Sequence, residues 1–275
     1  MSRLTVNREN RACWIATFLN PPINLVDPAM IGELQGLVTA LETDPEVKVI
    51  IFRSADPDFF LAHWDVLASS EIDGMVPGPT GLNPWLDVHV RLSRAPVVSI
   101  AQIEGRARGA GSEFVLACDM RFASLERAVL AQPEVGAGVV PGGNPMPRLI
   151  DLMGRGRTLE VVLGSDDFNA ELAERYGYVN RALPAIELPV FVERLATRLC
   201  GFEKYAIAAT KALVDRDSLP DLSGFAPALD AFLETVAHPN TQRRWARLLE
   251  RGFGSRSETE IHLGRALAEL SDQAD

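Results

Sequence analysis

The sequence contains few cysteines and few histidines. Its three cysteines, Cys13, Cys118 and Cys200, are widely spaced and lie in apolar surroundings. An odd number at such spacing does not fit a disulfide framework, so we expect reduced packing residues in a cytoplasmic protein. The four histidines show no metal-ligand spacing, and neither CxxC nor HExxH occurs. The sequence therefore predicts no metal site.

Long apolar runs and an excess of positive charge are also missing. No apolar run approaches the length of a membrane span, and the first ten residues, MSRLTVNREN, lack the apolar core of a signal peptide. The net charge of −10 disfavours nucleic acid and anionic membranes as partners. An anionic small ligand held by local positive charge stays compatible with it. A hydrophobic content of 47% over 275 residues indicates a globular chain with a substantial core.

A strand, a glycine-rich loop and a short helix are predicted within residues 97–119, VVSIAQIEGRARGAGSEFVLACD. The β-branched run Val97–Ile103 is typical of a buried strand. Ala110–Cys118 is almost entirely apolar, which indicates a helix in the core. Between them lie three glycines that let the backbone approach a ligand closely, namely Gly105, Gly109 and Gly111.

Glu113 lies in the first turn of this predicted core helix. It could simply complement the helix dipole, which is worth about 0.3–1 kcal/mol. However, Glu113 shares a helix face with Ala110 and Ala117, and a carboxylate on an apolar face is costly unless it is paired or used. The helix start also offers backbone N–H groups to a nearby negative charge. We therefore predict a site that combines an oxyanion donor with a buried carboxylate.

Strands and helices alternate up to about residue 140, which predicts an α/β arrangement with parallel pairing. Beyond that point strand signals nearly vanish apart from Tyr178–Ala182, so one α/β domain with a helical C-terminal third is expected. The Gly, Pro and Ser content of Ser69–Gly81 predicts a mobile loop. The other predicted elements are strands at Leu4–Val6, Ala12–Phe18, Val47–Phe52, Met120–Ala123 and Ala128–Leu130, and helices at Pro28–Glu42, Trp85–Arg94, Met146–Met153, Arg155–Leu163, Ala170–Tyr176, Leu188–Cys200, Tyr205–Asp215, Leu222–Ala237, Thr241–Gly252 and Glu258–Leu270.

Three motifs in this order resemble those of the enoyl-CoA hydratase/isomerase family, also called the crotonase family. Phe60–Asp65, FLAHWD, is similar to the family's F-x-A-G-x-D. Gly109–Glu113, GAGSE, is similar to its G-G-G-x-E. Gln132–Glu134, QPE, followed by Pro141-Gly142, is similar to its Q-P-E…P-G.

The resemblance implies a spiral of ββα turns with a helical C-terminal region. It divides the chain into a crotonase-like α/β core with the active site at residues 1–200 and a helical oligomerisation region at residues 201–275. It also implies a homotrimer or a dimer of trimers. The implied ligand is an acyl-CoA thioester, so coenzyme A enters as part of the substrate and no separate cofactor is expected.

The resemblance also assigns roles to residues of the three motifs. The backbone N–H groups of Trp64 and Ala110 would bind the thioester oxygen as an oxyanion hole. Glu113 would activate water at C3, and Glu134 would exchange a proton with C2. The positions expected to contact substrate or coenzyme A are Ala62, His63, Asp65, Gly109, Pro141 and Gly142.

Because both glutamates are present, the resemblance favours a hydratase that adds water across the C2=C3 bond of a 2-enoyl-CoA. Isomerases of the family commonly keep only the second glutamate. An isomerase, another enolate-forming acyl-CoA enzyme or a non-catalytic acyl-CoA binding subunit are the alternatives. A dinucleotide-binding domain is disfavoured because the glycines lack G-x-G-x-x-G spacing, and a serine hydrolase because Ser112 is not in a G-x-S-x-G turn.

Some positions depart from the family pattern and leave alternatives open. His63 replaces a usual glycine, so it either shapes the ligand pocket or turns to solvent or caps a backbone group. Trp64 either borders the thioester channel or packs in the core. The last helices carry apolar residues at helical spacing that pack within the chain or between subunits. A basic cluster there forms a solvated face or binds coenzyme phosphates, and its members are Arg243, Arg244, Arg247 and Arg251.

Overall fold

The computed structural model describes residues 2–68 and 76–271, so residues 69–75 of the loop predicted at 69–81 lie outside the described part. The strands form a six-stranded sheet in the order β1-β2-β3-β5-β7-β10 and a four-stranded sheet in the order β4-β6-β8-β9. Their bounds are Leu4–Asn10 (β1), Cys13–Phe18 (β2), Val49–Ser54 (β3), Phe59–Leu61 (β4), Val98–Ile103 (β5), Arg106–Arg108 (β6), Met120–Ser124 (β7), Val129–Ala131 (β8), Phe168–Asn169 (β9) and Arg181–Leu183 (β10).

Helices follow the strand pairs and continue into the C-terminal third. Asp27 and Pro28 start the first of them as expected, because the Asp27 side chain accepts a hydrogen bond from the Met30 backbone N at 2.8 Å. The helix bounds are Pro28–Thr43 (α1), Pro84–Arg94 (α2), Ala110–Ala117 (α3), Met146–Gly164 (α4), Ala170–Tyr176 (α5), Leu188–Cys200 (α6), Lys204–Ser218 (α7), Phe225–Val236 (α8), Pro239–Glu250 (α9), Glu258–Ile261 (α10) and Leu263–Ser271 (α11).

Consecutive strands alternate between the two sheets, and this creates a repeating turn. β3, β5 and β7 pair in parallel in the larger sheet, while β4, β6 and β8 pair in parallel in the smaller one. A helix follows each pair of strands, namely α2, α3 and α4, because parallel neighbours need a crossover connection. The predicted class, an α/β ββα spiral with a helical C-terminal region, is confirmed.

Several elements differ from the sequence-based expectation. β4, β6 and β9 are only two or three residues long, too short for a hydrophobic alternation to reveal them. The strand predicted at Tyr178–Ala182 lies instead at Arg181–Leu183. The helix predicted over residues 258–270 is broken at His262, whose φ and ψ are −124° and 48°. The two helices predicted at Met146–Met153 and Arg155–Leu163 are confirmed, because Gly154 has non-helical angles, with a φ of 77° and a ψ of 164°, that separate two helical parts of α4.

An aromatic cluster packs α3 against β2 and β3. The Phe114 ring meets the edges of Phe18 and Phe52 at centroid distances of 5.4 and 5.0 Å, and Phe60 of β4 contacts Phe18 at 5.5 Å. Edge-to-face pairs of this kind add to the apolar burial of the rings. The helix that carries Glu113 is therefore held rigidly against the strands on either side of it.

The C-terminal helices α9 and α11 pack against each other. Leu248 of α9 forms a buried cluster with Leu263, Leu267 and Leu270 of α11. Within residues 2–68 and 76–271, no helix has both the length and the apolar content needed to cross a bilayer. The oligomerisation role assigned to residues 201–275 stays a prediction.

Candidate active site

A cavity of about 440 Å³ lies between the start of α3, the segment after β4, the loop after β8 and the C-terminal helices. Its volume is in the range of small-molecule sites. Trp64, Ala110, Glu113 and Glu134, which come from three separate motifs, all line it. The structure thus brings together the four residues to which the resemblance assigned the chemistry.

The Trp64 amide is oriented by the pairing of its neighbours. The His63 carbonyl accepts a hydrogen bond from Val26 N at 2.8 Å, and Asp65 N donates to Val26 O at 2.9 Å. Since the 63–64 peptide is trans, its N–H points opposite to its carbonyl, away from Val26. β4, which ends at Leu61, pairs with β6, and Trp64 and Ala110 both line the cavity.

Ala110 supplies the second amide at the start of α3. The preceding Gly109 has a φ of +50°, which favours glycine. The first four N–H groups of a helix have no intrahelical acceptor. A side chain on Gly111 would place its Cβ 2.1 Å from the Leu61 carbonyl, so the glycine allows α3 to approach β4. The amides of Trp64 and Ala110 consequently belong to two segments that run side by side at the cavity.

Glu113 is 5% exposed and is held by two N–H donors. Trp85 Nε1 donates to its Oε2 at 3.1 Å, and the Gly143 backbone N donates to its Oε1 at 2.8 Å. Burial raises the pKa of Glu113, while the two donors act in the opposite direction. N–H donors stabilise a carboxylate, so Glu113 has a defined orientation and support for its charged form.

Glu134 has a different environment in the same cavity. Its Oε2 is buried and forms no hydrogen bond with any described residue. A Cβ at position 109 would lie 2.9 Å from Glu134 Oε1, so this carboxyl group lies against the backbone next to Ala110. Burial raises the pKa of Glu134 well above its usual value, and the charge of Glu113 raises it further. Burial thus acts on both carboxyl groups, but only at Glu113 do two N–H donors oppose it.

His63 is buried and pairs with the C-terminal region. Its Nε2 lies 2.8 Å from Glu260 Oε1 and its Nδ1 lies 2.7 Å from the Trp64 carbonyl. The expectation that His63 turns to solvent is wrong, because it is only 5% exposed. Instead it contacts a backbone carbonyl and lines the cavity as well.

The other predicted contact residues divide into two groups. Gly109 and Gly142 line the cavity with His63, whereas Ala62, Asp65 and Pro141 lie outside its lining. Ala62 is buried in a small apolar cluster, and the Asp65 side chain accepts a hydrogen bond from Leu67 N at 3.0 Å. The structure thus shows where each residue lies, and their roles toward a ligand stay predictions.

The partners of Glu113 and His63 were not found from the sequence. Trp85, Gly143 and Glu260 carry no local signal of function, since each acts through a contact distant in sequence. The C-terminal region also supplies a large part of the apolar wall, whereas the sequence analysis considered packing within the chain or between subunits for the apolar residues of its helices. The wall residues from this region are Leu229, Phe232, Leu233, Val236, Trp245, Phe253, Leu263 and Leu267.

The basic cluster of the last helices borders a second cavity, of about 1340 Å³. Arg243, Arg244 and Arg247 line it. The Arg244 guanidinium donates to the Gly136 carbonyl at 2.5 Å and to the Leu267 carbonyl at 3.0 Å. Arg244 thus links the loop after β8 to α11, and the expectation that this cluster binds coenzyme phosphates stays a prediction.

Comparison with known proteins agrees with this geometry. Residues 8–252 match the sequence family described as Enoyl-CoA hydratase/isomerase. A crystal structure of a Streptomyces avermitilis protein, provisionally named an enoyl-CoA hydratase, superposes with a TM-score of 0.92 at 42% identity, covering 97% of this chain and 96% of that one.

Two curated relatives extend the same picture. Crotonyl-CoA hydratase of Syntrophomonas wolfei is 29% identical over 208 residues, 74% of this chain and 79% of the relative. Carnitinyl-CoA dehydratase of Escherichia coli is 32% identical over 201 residues, 72% of this chain and 74% of the relative. With its ββα spiral and the motif residues gathered at one cavity, this chain belongs to the enoyl-CoA hydratase/isomerase family.

Proposed function

We propose that this protein is an enoyl-CoA hydratase, which adds water across the C2=C3 bond of a 2-enoyl-CoA thioester. One observation carries the proposal. Two glutamates with opposite environments, one supported by N–H donors and one without a partner at Oε2, line a single cavity. Water addition needs a base and an acid at the same time, and different environments separate two carboxyl groups into these roles.

The amides of Trp64 and Ala110 would hold the thioester oxygen. As water attacks C3, negative charge moves from the double bond onto this oxygen and forms an enolate. Donors already directed at that oxygen stabilise the charge without reorganisation, and the loss of one such donor costs roughly 10²–10³ in kcat in a well-studied case. The start of α3 adds the favourable end of a helix dipole.

The two glutamates would then move the protons. The Glu113 carboxylate accepts a proton from water while the water oxygen bonds to C3. Protonated Glu134 delivers its proton to C2, so one water molecule is added in total. A proton returning from Glu113 to Glu134 restores the starting state. The hydrogen bonds from Trp85 and Gly143 to Glu113 support this assignment, because they favour its charged form.

The cavity lining favours a hydrocarbon or aryl acyl group. Besides its three tryptophans, the described lining has four polar side chains, which are His63, Asn83, Glu113 and Glu134. Asn83 caps α2 through Trp85 N at 3.0 Å, and His63 is bonded at both nitrogens. The indole N–H groups of Trp85 and Trp245 are also bonded, to Glu113 and the Ala137 carbonyl. An anionic or hydroxylated acyl chain would find few partners there, and burying it unpaired is costly.

A substrate panel tests the proposal. Purified protein is mixed with trans-2-enoyl-CoA thioesters bearing a four-carbon, an eight-carbon, a phenyl-substituted and a carboxyl-substituted chain, and the loss of the enoyl absorbance is followed. We expect hydration of the apolar members and little of the carboxylated one. The absence of hydration with every member would overturn the proposal. Conversion of a 3-enoyl-CoA without hydration would assign an isomerase instead.

We further propose a homotrimer or dimer of trimers and a cytoplasmic location. The family resemblance supports the assembly, and the free thiols of Cys13, Cys118 and Cys200 agree with a reducing compartment. Light scattering coupled to size-exclusion chromatography tests the assembly, and a monomeric mass would contradict it.

A further inference from the structure

Glu260 of α10 is hydrogen bonded to both chain segments that carry the proposed oxyanion donors. Through its side chain, Glu260 Oε1 bonds His63 Nε2 at 2.8 Å, and His63 directly precedes Trp64. Through its backbone, the Glu260 carbonyl accepts from Arg108 Nη1 at 2.6 Å. Arg108 ends β6, two residues before Ala110. A single residue of the C-terminal region thus bridges the two segments.

His63 is fixed on every side and has no nitrogen left for acid–base chemistry. Its Nδ1 donates to the Trp64 carbonyl at 2.7 Å, and its Nε2 is occupied by Glu260. The ring stacks on Phe253 with a centroid distance of 4.2 Å and an interplanar angle of 0°. The His63 Cβ would lie 3.4 Å from a Cβ at position 109, so the two donor segments meet at this residue.

The His63–Glu260 pair is buried, and each group favours the charged form of the other. The side chains of His63 and Glu260 are 6% and 0% exposed. Burial opposes both charges, yet mutual attraction raises the pKa of His63 and lowers that of Glu260. Glu260 Oε1 also accepts from Gly254 N at 2.7 Å. Buried ion pairs contribute little net stability, and their best-attested use is to fix one arrangement of the chain.

The Arg108 side of the bridge is equally rigid. Its guanidinium is fully buried and makes two 2.6 Å hydrogen bonds to the carboxylate of Asp167. Such bidentate pairs set orientation as well as energy. The Glu260 carbonyl is therefore held by a donor that has little freedom to move.

We propose that Glu260 is a positioning residue that sets the spacing of the Trp64 and Ala110 amides. This inference rests on the proposed function, because it takes these amides to be the oxyanion donors. Glu260 acts on Trp64 through His63 and on Ala110 through Arg108. Glu260, which is not part of the cavity lining, thereby takes part in catalysis without touching the substrate.

The variant Glu260→Gln tests this by keeping the shape of the side chain and removing its charge. We expect kcat for a 2-enoyl-CoA to fall by about 10- to 100-fold, since a small misplacement of catalytic groups has effects of this size. KM should change less than about threefold, because the apolar wall that binds the acyl group is kept. The infrared carbonyl stretch of a bound, ¹³C-labelled saturated acyl-CoA should shift less from its frequency in water than with the wild type, since the donors polarise the carbonyl less.

The control is Arg256→Gln. Arg256 lies in the same C-terminal segment, and its side chain is 45% exposed. It forms ion pairs with Asp56 and Asp58. Among the described residues, none of its hydrogen bonds or ion pairs goes to His63 or Arg108. We expect unchanged kcat and carbonyl frequency. His63→Gln approaches the pair from the other side, so it keeps the inference testable if Glu260→Gln folds poorly. The double variant should lose no more than the more affected single variant, because both act through one bond.

The inference and the proposed function fail in different ways. If the wild type hydrates enoyl-CoA but Glu260→Gln and His63→Gln keep its kcat and carbonyl frequency, the inference is wrong. Equal losses in Arg256→Gln would also overturn it, since they would show only that the segment must be anchored. If the wild type hydrates no enoyl-CoA, the proposed function itself fails.

Discussion

The backbone N of Gly143 donates to Glu113 at 2.8 Å, and a Cβ at position 143 would lie 2.1 Å from Glu113 Oε2. The requirement for glycine here comes from the carboxylate and not from an unusual backbone angle. Any side chain at position 143 must push Glu113 away from its donors. The loop after β8 thereby orients a side chain of α3.

The variant Gly143→Ala should lower kcat for hydration by about 100-fold, since it displaces the proposed base from its orientation. Steady-state kinetics with a hydrated enoyl-CoA measures this. Gly156→Ala is the matched control, because Gly156 lies on exposed helix α4 with no atom within 4 Å of the added Cβ. It should keep full activity and gain slightly in stability, as alanine favours a helix. Full activity in Gly143→Ala would contradict the orienting role.

Different roles for the two glutamates predict a split between hydration and proton exchange. Exchange of the C2 proton of a saturated acyl-CoA with D₂O needs a base at C2 and an oxyanion hole but no water at C3. We expect Glu113→Gln to lose hydration by at least about 100-fold and to keep C2 exchange. Glu134→Gln should lose both.

Mass spectrometry of the acyl-CoA and the absorbance assay measure the two reactions in the same samples. Loss of exchange in Glu113→Gln with retention in Glu134→Gln would reverse the assignment. Unchanged activities in both variants would instead indicate a non-catalytic binding protein.

The local part of the site was predictable from sequence. The strand, glycine loop and helix of residues 97–119 follow from β-branching, glycine spacing and an unbroken apolar run, and Glu113 is conspicuous on that run. α3 is Ala110–Ala117, one residue shorter than predicted. These features are set by neighbours in the chain, so short-range patterns reveal them.

The convergence of distant residues was not predictable from such patterns. Glu113 and Glu134 were paired through the family resemblance, since 21 positions separate them in sequence and no spacing rule joins them. Trp85 and Glu260 act on the site from still farther away, and Glu260 lies 197 positions from His63. The sequence shows that His63 replaces the family's usual glycine. Only the fold shows that the buried Glu260 carboxylate is its hydrogen-bond partner.

The apolar wall predicts how acyl size is selected. Leu229 of α8 lines the cavity, and Leu229→Trp would fill part of it. We expect kcat/KM for an eight-carbon 2-enoyl-CoA to fall by about tenfold relative to the four-carbon substrate, since pocket volume discriminates chains at this level. Leu125→Trp is the control, because Leu125 is 44% exposed and lies outside the lining. Equal losses for both chain lengths would show that Leu229 does not face the acyl group.

The charge of Glu113 also predicts a shift in pH dependence. In C2 exchange, Glu134 must start as a carboxylate, so the rate rises as pH increases through its pKa. Burial and the charge of Glu113 both raise that pKa. Glu113→Gln removes the second cause, which makes the Glu134 carboxylate easier to form and lowers its pKa.

The rising limb of the exchange rate should therefore move to lower pH in Glu113→Gln, as measured across a pH series with a saturated acyl-CoA in D₂O. Glu171→Gln serves as the control, because Glu171 is an exposed carboxylate paired with Arg175, and its removal should leave the limb in place. If the rate of C2 exchange in Glu113→Gln rises at the same pH as in the wild type, or at a higher pH, the two carboxyl groups do not interact. The division of acid and base between them would then lose its electrostatic cause.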